Sequence, residues 1–239
     1  MTNIPLISIV IPTYNHAHYL AIALKSIIDQ TYIHWEAIVV DNHSADNTES
    51  IVLGLDNPKI KLLKIHNNGV IAASRNLGLK EAKGDWIARI DDDDIWSKFH
   101  LEKLVNFAQE NNFEFVSSLY EEERFGERKV VQGVHALDSY YTQKVYYNMD
   151  KSPKIGGVST WLYRSYLKFM KYNIDCWRKK WNRVNDIDLS LRFYKAGVRM
   201  GFLEEVLAYI IPRPGEESVG LEAYKLSSKE MLDKYNVHK

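Results

Sequence analysis

The sequence predicts an α/β fold built on a central, mostly parallel sheet flanked by helices, and three observations carry that expectation. Short β-branched apolar runs alternate with amphipathic segments of helical period through residues 1–120. The strand-like runs are apolar without alternation, as in strands covered on both faces. They end in polar or acidic residues, at the rim where open α/β sheets receive ligands.

The elements follow in order. Ile7 to Ile11 is a β-branched run stopped by Pro12 and reads as a central strand; Asn15 can cap the helix that carries Leu20, Ala23, Leu24, Ile27 and Ile28. Trp35 to Val40 repeats the strand pattern, ends at Asp41, and leads through a polar loop to a short helix. Lys59 to Ile65 predicts a third strand, Val70 to Ala82 a helix, and Asp85 to Ile90 a fourth strand that runs into Asp91-Asp92-Asp93-Asp94. Leu101, Leu104, Val105 and Ala108 mark a further helix, and Phe113 to Tyr120 a further strand. Right-handed crossovers between such units give a parallel sheet. Beyond Glu121, Gly126 and Gly133 punctuate a hairpin, Tyr140 to Tyr147 reads as helical, and Gly156-Gly157 opens a loop. Asn185 to Lys195 predicts a helix, Val198 to Ile211 a strand or strand pair, and Glu216 to Tyr235 a closing helix.

A chain of 239 residues bounds one large core, so residues 1–239 are expected to form a single domain, with a ligand-binding half over 1–120 and a second half over 121–239. Lys plus Arg and Asp plus Glu both total 31, which argues against a nucleic-acid binder that relies on overall positive charge. The single cysteine, Cys176, excludes an intrachain disulfide and a Cys-rich zinc site and fits a reducing, cytoplasmic compartment. No stretch approaches the roughly 18 apolar residues of a membrane span, so the expectation is a soluble or peripheral protein.

The run of four aspartates is the sharpest local feature, because adjacent like charges repel and raise one another's pKa unless a cation joins them. In an extended segment Asp91 and Asp93 would share one face while Asp92 and Asp94 point elsewhere. Mg²⁺ or Mn²⁺ suits such a site, since these ions take one or two carboxylates and complete their shells with water and phosphate oxygens. Neither a Walker A sequence nor GxGxxG is present. Arg75, on the helix after Asn67-Asn68-Gly69, can hold a substrate phosphate or orient an aspartate.

Five segments in order then resemble the family 2 glycosyltransferases: Ile9-Val10-Ile11-Pro12-Thr13-Tyr14-Asn15, Gln30-Thr31, Val39-Val40-Asp41-Asn42 with Ser44 and Asp46, Ser74-Arg75-Asn76-Leu77-Gly78, and Ile90-Asp91-Asp92-Asp93-Asp94. The resemblance covers the first 105 residues and implies the nucleotide-sugar-binding GT-A fold and inverting sugar transfer from a nucleotide diphosphate. It implies that Thr13 and Asp41 contact the nucleobase and that Arg75 sits against the base or a neighbouring carboxylate. It also implies that Asn15, Asp91, Asp92 and Arg213 serve donor binding, and that Asp93 is the metal-binding carboxylate for Mn²⁺ or Mg²⁺. Arg213 reads either as a phosphate clamp on a lid or as a surface arginine. Asn185-Asp186-Ile187-Asp188-Leu189 resembles the family's Glu-Asp element, so Asp186 inherits the general-base role. Asn42 and Asn185 stand where the family usually carries acidic residues.

From Lys151 to Asn185, nine basic residues face only Asp175, a local charge of +8, interleaved with Trp161, Tyr163, Tyr166, Phe169, Tyr172, Trp177 and Trp181. Basic and aromatic residues together suit an anionic membrane interface, sugars or phosphorylated lipids, and they equally suit a charged face over an aromatic core. With the resemblance, this implies a metal-dependent, peripheral enzyme of the inner membrane face that moves a sugar from a UDP-linked donor to a lipid-linked or lipooligosaccharide acceptor in cell-surface polysaccharide synthesis. The rival readings are a metal-dependent nucleotidyltransferase and a catalytically silent sugar-nucleotide or glycan-binding module.

Overall fold

The computed structural model describes residues 4–124, 126–135, 154–175 and 185–210. The expected helices over 140–147 and 216–235 lie outside these residues. Strand β1 (Ile7–Thr13) is buried throughout, because it runs between β2 (Trp35–Asp41) and β4 (Trp86–Arg89), parallel to both. It continues through Pro12, where the sequence suggested a stop. The β4 side of the ladder ends at the Val10–Arg89 pair, so a proline lacking its N–H is tolerated beyond it. Strand β3 (Ile60–Lys64) adds parallel to β2.

Helices α1 (Ala17–Ile28), α2 (Thr48–Gly54), α3 (Ile71–Glu81) and α4 (His100–Glu110) connect or follow these strands. The start of α1 differs from expectation. His16 occupies the cap position, and the Ala17 N–H is satisfied by Asp46 Oδ2 at 3.0 Å. Asn15 instead takes a left-handed φ of 54°, and its Oδ1 accepts from the Ala45 N–H at 2.7 Å, which ties the loop after β1 to the loop after β2.

Beyond β4 the sheet becomes mixed. Strand β5 (Asp94–Trp96), which the sequence did not reveal, begins inside the aspartate run. Strands β6 (Phe115–Arg124) and β7 (Glu127–Val131) form the hairpin around Gly126. A separate two-stranded ribbon joins β8 (Val134–His135) to β9 (Lys154–Ile155). Strand β10 (Leu162–Arg164) inserts antiparallel between β4 and β6, and β11 (Met200–Ile210) runs parallel to β6 and antiparallel to β5. The main sheet therefore reads β3-β2-β1-β4-β10-β6-β11-β5. Its path leaves Arg89 at the end of β4 and returns to Asp94 in β5, so the four aspartates bridge two places far apart in strand order.

Helix α5 (Asn185–Lys195) packs Leu189, Leu191 and Phe193 into the core on the α3 face of the sheet, with Val10, Ile38, Ile87 and Tyr163. The opposite face holds Ile9, Ile11, Leu20, Leu24, Leu101 and Leu104. The alternation of Ile9, Val10 and Ile11 between the two cores is the period-2 consequence of a strand covered on both sides.

Candidate active site

The site lies at the carboxyl ends of β1, β2 and β4 and the start of α5. Thr13 and Asp41 are paired in register across β1 and β2, and both are buried. Asp41 Oδ1 accepts from the Ser44 N–H at 2.9 Å and from its hydroxyl at 2.5 Å, which fixes the carboxylate. Thr13 Oγ1 is buried and has no partner among the described residues. Asn67 N–H donates to Asn42 Oδ1 at 2.8 Å, so Asn42 joins the second and third strand loops.

The aspartates do not form the expected extended segment. Asp94 N–H donates to the Asp91 carbonyl at 3.2 Å, making a turn, because Asp94 must join β5 and pair with Ile210. Burial alternates along the turn: Asp91 and Asp93 are partly exposed, whereas Asp92 and Asp94 are buried. Asp92 lies 3.0 Å from His16 Nδ1. Ser159, between β9 and β10, donates its hydroxyl to Asp94 while its oxygen accepts the Asp91 N–H at 2.9 Å. Burial, with Asp93 and Asp91 adding repulsion, pushes the Asp94 carboxyl well above its ordinary range.

Arg75 organises the other wall. It is buried on α3, and Nη1 donates to Asp186 Oδ1 at 2.5 Å and to Asn185 Oδ1 at 2.8 Å, while Nη2 donates to Asp91 Oδ1 at 3.1 Å. These bonds hold the two aspartates together through one guanidinium. Asp186 opens α5, and its side chain stays 24% exposed. Burial raises its pKa above the usual aspartate value, and the Arg75 charge opposes that rise. A carboxylate held by its partner, still open to solvent and more basic than usual is equipped to accept a proton. Asn185 binds the same guanidinium as a neutral acceptor, so no third carboxylate competes for Arg75.

The structure thus brings Arg75, Asp91 and Asp186 into contact, sets Asp92 and Asp93 on the same turn, and places Thr13, Asn15 and Asp41 around the neighbouring loops. Arg213 lies outside the described residues. Sequence reasoning missed Ser159 and His16; a lone serine or histidine in a loop carries no spacing signal, and only strand order brings Ser159 to the aspartates. Among the described residues no group of three or more His, Cys, Asp or Glu side chains forms a cation cage. The oxygen-only, partly exposed carboxylates of the turn fit a hard cation that draws most of its ligands from phosphate and water.

The fold is GT-A: a central sheet flanked by helices, with acidic residues at the carboxyl ends of its strands. The chain belongs to glycosyl transferase family 2, whose pattern it matches over residues 8–169. It is 40% identical over 116 residues to the Escherichia coli UDP-Glc:alpha-D-GlcNAc-diphosphoundecaprenol beta-1,3-glucosyltransferase WfgD, covering 48% of this chain and 46% of that protein. It is 32% identical over 213 residues to EpsE of Bacillus subtilis, a protein assigned as a glycosyltransferase, covering 87% of this chain and 73% of EpsE. The matches to WfgD and to TuaG of Bacillus subtilis span less than half of those relatives' length. Among solved structures, Staphylococcus aureus TarS 1-349 in complex with UDP-GlcNAc superposes with a TM-score of 0.69 at 22% identity, over 97% of this chain and 66% of that 1–349 chain. The mannosyltransferase PcManGT of Pyrobaculum calidifontis, solved with GDP-Man and Mn²⁺, gives 0.64 at 20% identity, over 88% of this chain and 57% of that one.

Proposed function

We propose that this chain is an inverting glycosyltransferase that moves a sugar from a UDP-linked donor to a hydroxyl of a lipid-linked or lipooligosaccharide glycan. The observation that carries the proposal is the convergence of Asp186 and Asp91 on buried Arg75 at the strand rim. Asp186 takes the proton of the acceptor hydroxyl as its oxygen bonds to the anomeric carbon. The bond from that carbon to the donor diphosphate breaks in the same displacement, so the configuration inverts. Arg75 fixes the direction from which Asp186 acts. Thr13 and Asp41 bind the base, the unpaired Thr13 hydroxyl supplying a hydrogen bond that no described protein group takes. Asn15, Asp91 and Asp92 shape the donor side, and Arg213 clamps the diphosphate. Asp93 would hold Mg²⁺ or Mn²⁺, which neutralises charge on the departing diphosphate when bound.

The names of relatives support the choice of substrates: WfgD takes UDP-glucose and a GlcNAc-diphospho-lipid, and TarS is seen with UDP-GlcNAc. The described part of the basic segment supports a lipid-borne acceptor. Trp161, Tyr163 and Tyr172 are core residues, but Tyr166, Phe169 and Ile174 are exposed beside Lys168 and Lys171. We place this face on an anionic membrane surface. Trp177, Lys179, Lys180, Trp181 and Arg183 lie outside the described residues. No helix among the described residues is long and apolar enough to cross a membrane.

The test is a panel of UDP- and GDP-sugars with a GlcNAc-diphospho-lipid acceptor, with Mn²⁺, Mg²⁺ or chelator. Release of UDP with an inverted product supports the proposal. Release of pyrophosphate, or nucleotide binding without turnover for every donor and acceptor, refutes it.

A further inference from the structure

Behind Arg75 lies a second arginine that the mechanism leaves unused. Arg89, the last residue of β4, has a fully buried side chain, and none of Nε, Nη1 or Nη2 has a hydrogen-bond partner among the described residues. Burying a guanidinium is costly unless its charge is matched. Its nearest counter-charge is Asp91 Oδ1, 3.7 Å from Nη2, the same oxygen that Arg75 Nη2 binds at 3.1 Å. The two guanidinium carbons lie 5.2 Å and 5.3 Å from the centroid of the Tyr172 ring. Tyr172 is itself fixed by reciprocal bonds of its backbone with the Asn76 side chain, at 2.8 Å and 2.9 Å.

This arrangement sets one carboxylate oxygen between two cations that share an aromatic ring. Arg75 must serve both Asp91 and Asp186, and alone it is one positive charge against two negative ones. Arg89 supplies the missing charge from the core side. Like charge also disfavours any retreat of Arg75 toward β4, which leaves its Nη1 facing Asp186 and Asn185.

We propose that Arg89 is a positioning residue, a buried second cation that holds Asp91 from behind and keeps Arg75 turned toward Asp186. The inference rests on the sugar-transfer reading above and adds a residue two positions before the aspartate turn. Arg89 is fully buried and reaches the site only through Asp91 and Arg75, so its loss should lower turnover more than nucleotide binding.

The experiment compares wild type, Arg89→Met, Arg89→Gln and Arg89→Lys. UDP affinity is measured by calorimetry, and kcat and KM by UDP release from the UDP-sugar and acceptor that wild type uses. The neutral variants should bind UDP within about threefold of wild type and lose on the order of 10²-fold in kcat. Arg89→Lys, which restores the charge, should recover to within about tenfold. Crystal structures of the neutral variants should show Arg75 withdrawn from Asp186. A folded neutral variant with wild-type kcat, or one in which Arg75 keeps its bond to Asp186, overturns the inference. If neither neutral variant folds, Arg89→Lys decides: turnover within tenfold of wild type supports a role for the charge, and a loss of 10²-fold or more defeats it. Absence of UDP release from wild type with every donor would defeat the sugar-transfer reading instead, and the two failures are thereby distinct.

Discussion

Asp186 and Asp94 are both carboxylates with raised pKa, yet their surroundings give them opposite uses. Asp94 is sealed behind Ser159 and β11, where it shapes the turn; Asp186 keeps a solvent-facing side and a cationic partner. Replacing Asp186 by Asn preserves the shape and removes the basic oxygen. Turnover should fall by on the order of 10²- to 10⁴-fold with little change in nucleotide affinity. Equal losses of UDP binding and rate would make it a structural residue. At Asp93 the expectation differs: Asp93→Asn should weaken donor binding in Mn²⁺ much more than in chelator, measured by calorimetry in both conditions. Asp93 was legible because aspartates clustered at a strand end have few structural uses, whereas Asp186 was legible only through the likeness to the family's Glu-Asp element. The partners that orient them were not. Ser159 and Arg89 come from separate elements, and their meeting with the aspartates depends on strand order, which no local pattern encodes.

On the scale of elements, α3 carries Arg75 to the site because it lies very close to β1. A Cβ at Gly78 would sit 2.4 Å from Val10 Cγ1. Val10 is β-branched and fully buried, so it has no free rotamer into which to move. Gly78→Ala should therefore push α3 outward, cost about 1–3 kcal/mol of stability, and lower turnover by displacing Arg75. The double variant Gly78→Ala with Val10→Ala should recover part of both losses; denaturant unfolding and UDP release check this, and a fully active Gly78→Ala would refute it. The segment after β10 makes a different prediction. Phe169→Ser should reduce cosedimentation with anionic vesicles, most clearly at higher salt, where the charges of Lys168 and Lys171 are screened, and leave transfer to a short soluble acceptor unchanged. Equal binding to anionic and neutral vesicles by wild type would remove the membrane role. The sequence showed α1, α4 and α5 well, because each carries an apolar stripe at helical spacing. It hid β5 and β10, which are three residues each and too short to display a period.

For the whole molecule, buried titratable groups link fold stability to pH. His100 stacks on Trp96 with centroids 4.1 Å apart, and its Nδ1 lies 2.9 Å from the Leu207 carbonyl oxygen. Burial pushes its pKa from 6.5 down to about 3, so the folded protein keeps it neutral while the unfolded chain takes up a proton. Its contribution is complete above about 6.5 and is lost as pH falls toward about 3, with a limiting slope of ~1.4 kcal/mol per pH unit. Chemical denaturation between pH 7 and 4 should show this slope in wild type and a shallower one in His100→Gln. Equal slopes would assign the acid sensitivity elsewhere. The fold class was legible because β1 to β4 and their helices repeat one local pattern. The return of β10 and β11 into the sheet was not, since long-range pairing leaves no trace in composition.

That return has a consequence for how the protein is made. When residue 120 has left the ribosome, β4 lacks its β10 edge, β5 lacks β11, and β6 has none of its partners. The aspartate turn can take its final form only after β11 is synthesised, more than a hundred residues later. At ~5–20 residues per second that is a delay on the order of ten seconds, during which open strand edges invite mispairing. Nascent chains stalled with residue 120 exposed should be protease-sensitive and bind holdase chaperones, and protection should appear only once residue 210 is free. A protected, UDP-binding 1–120 fragment would mean that the first strands assemble without their later neighbours.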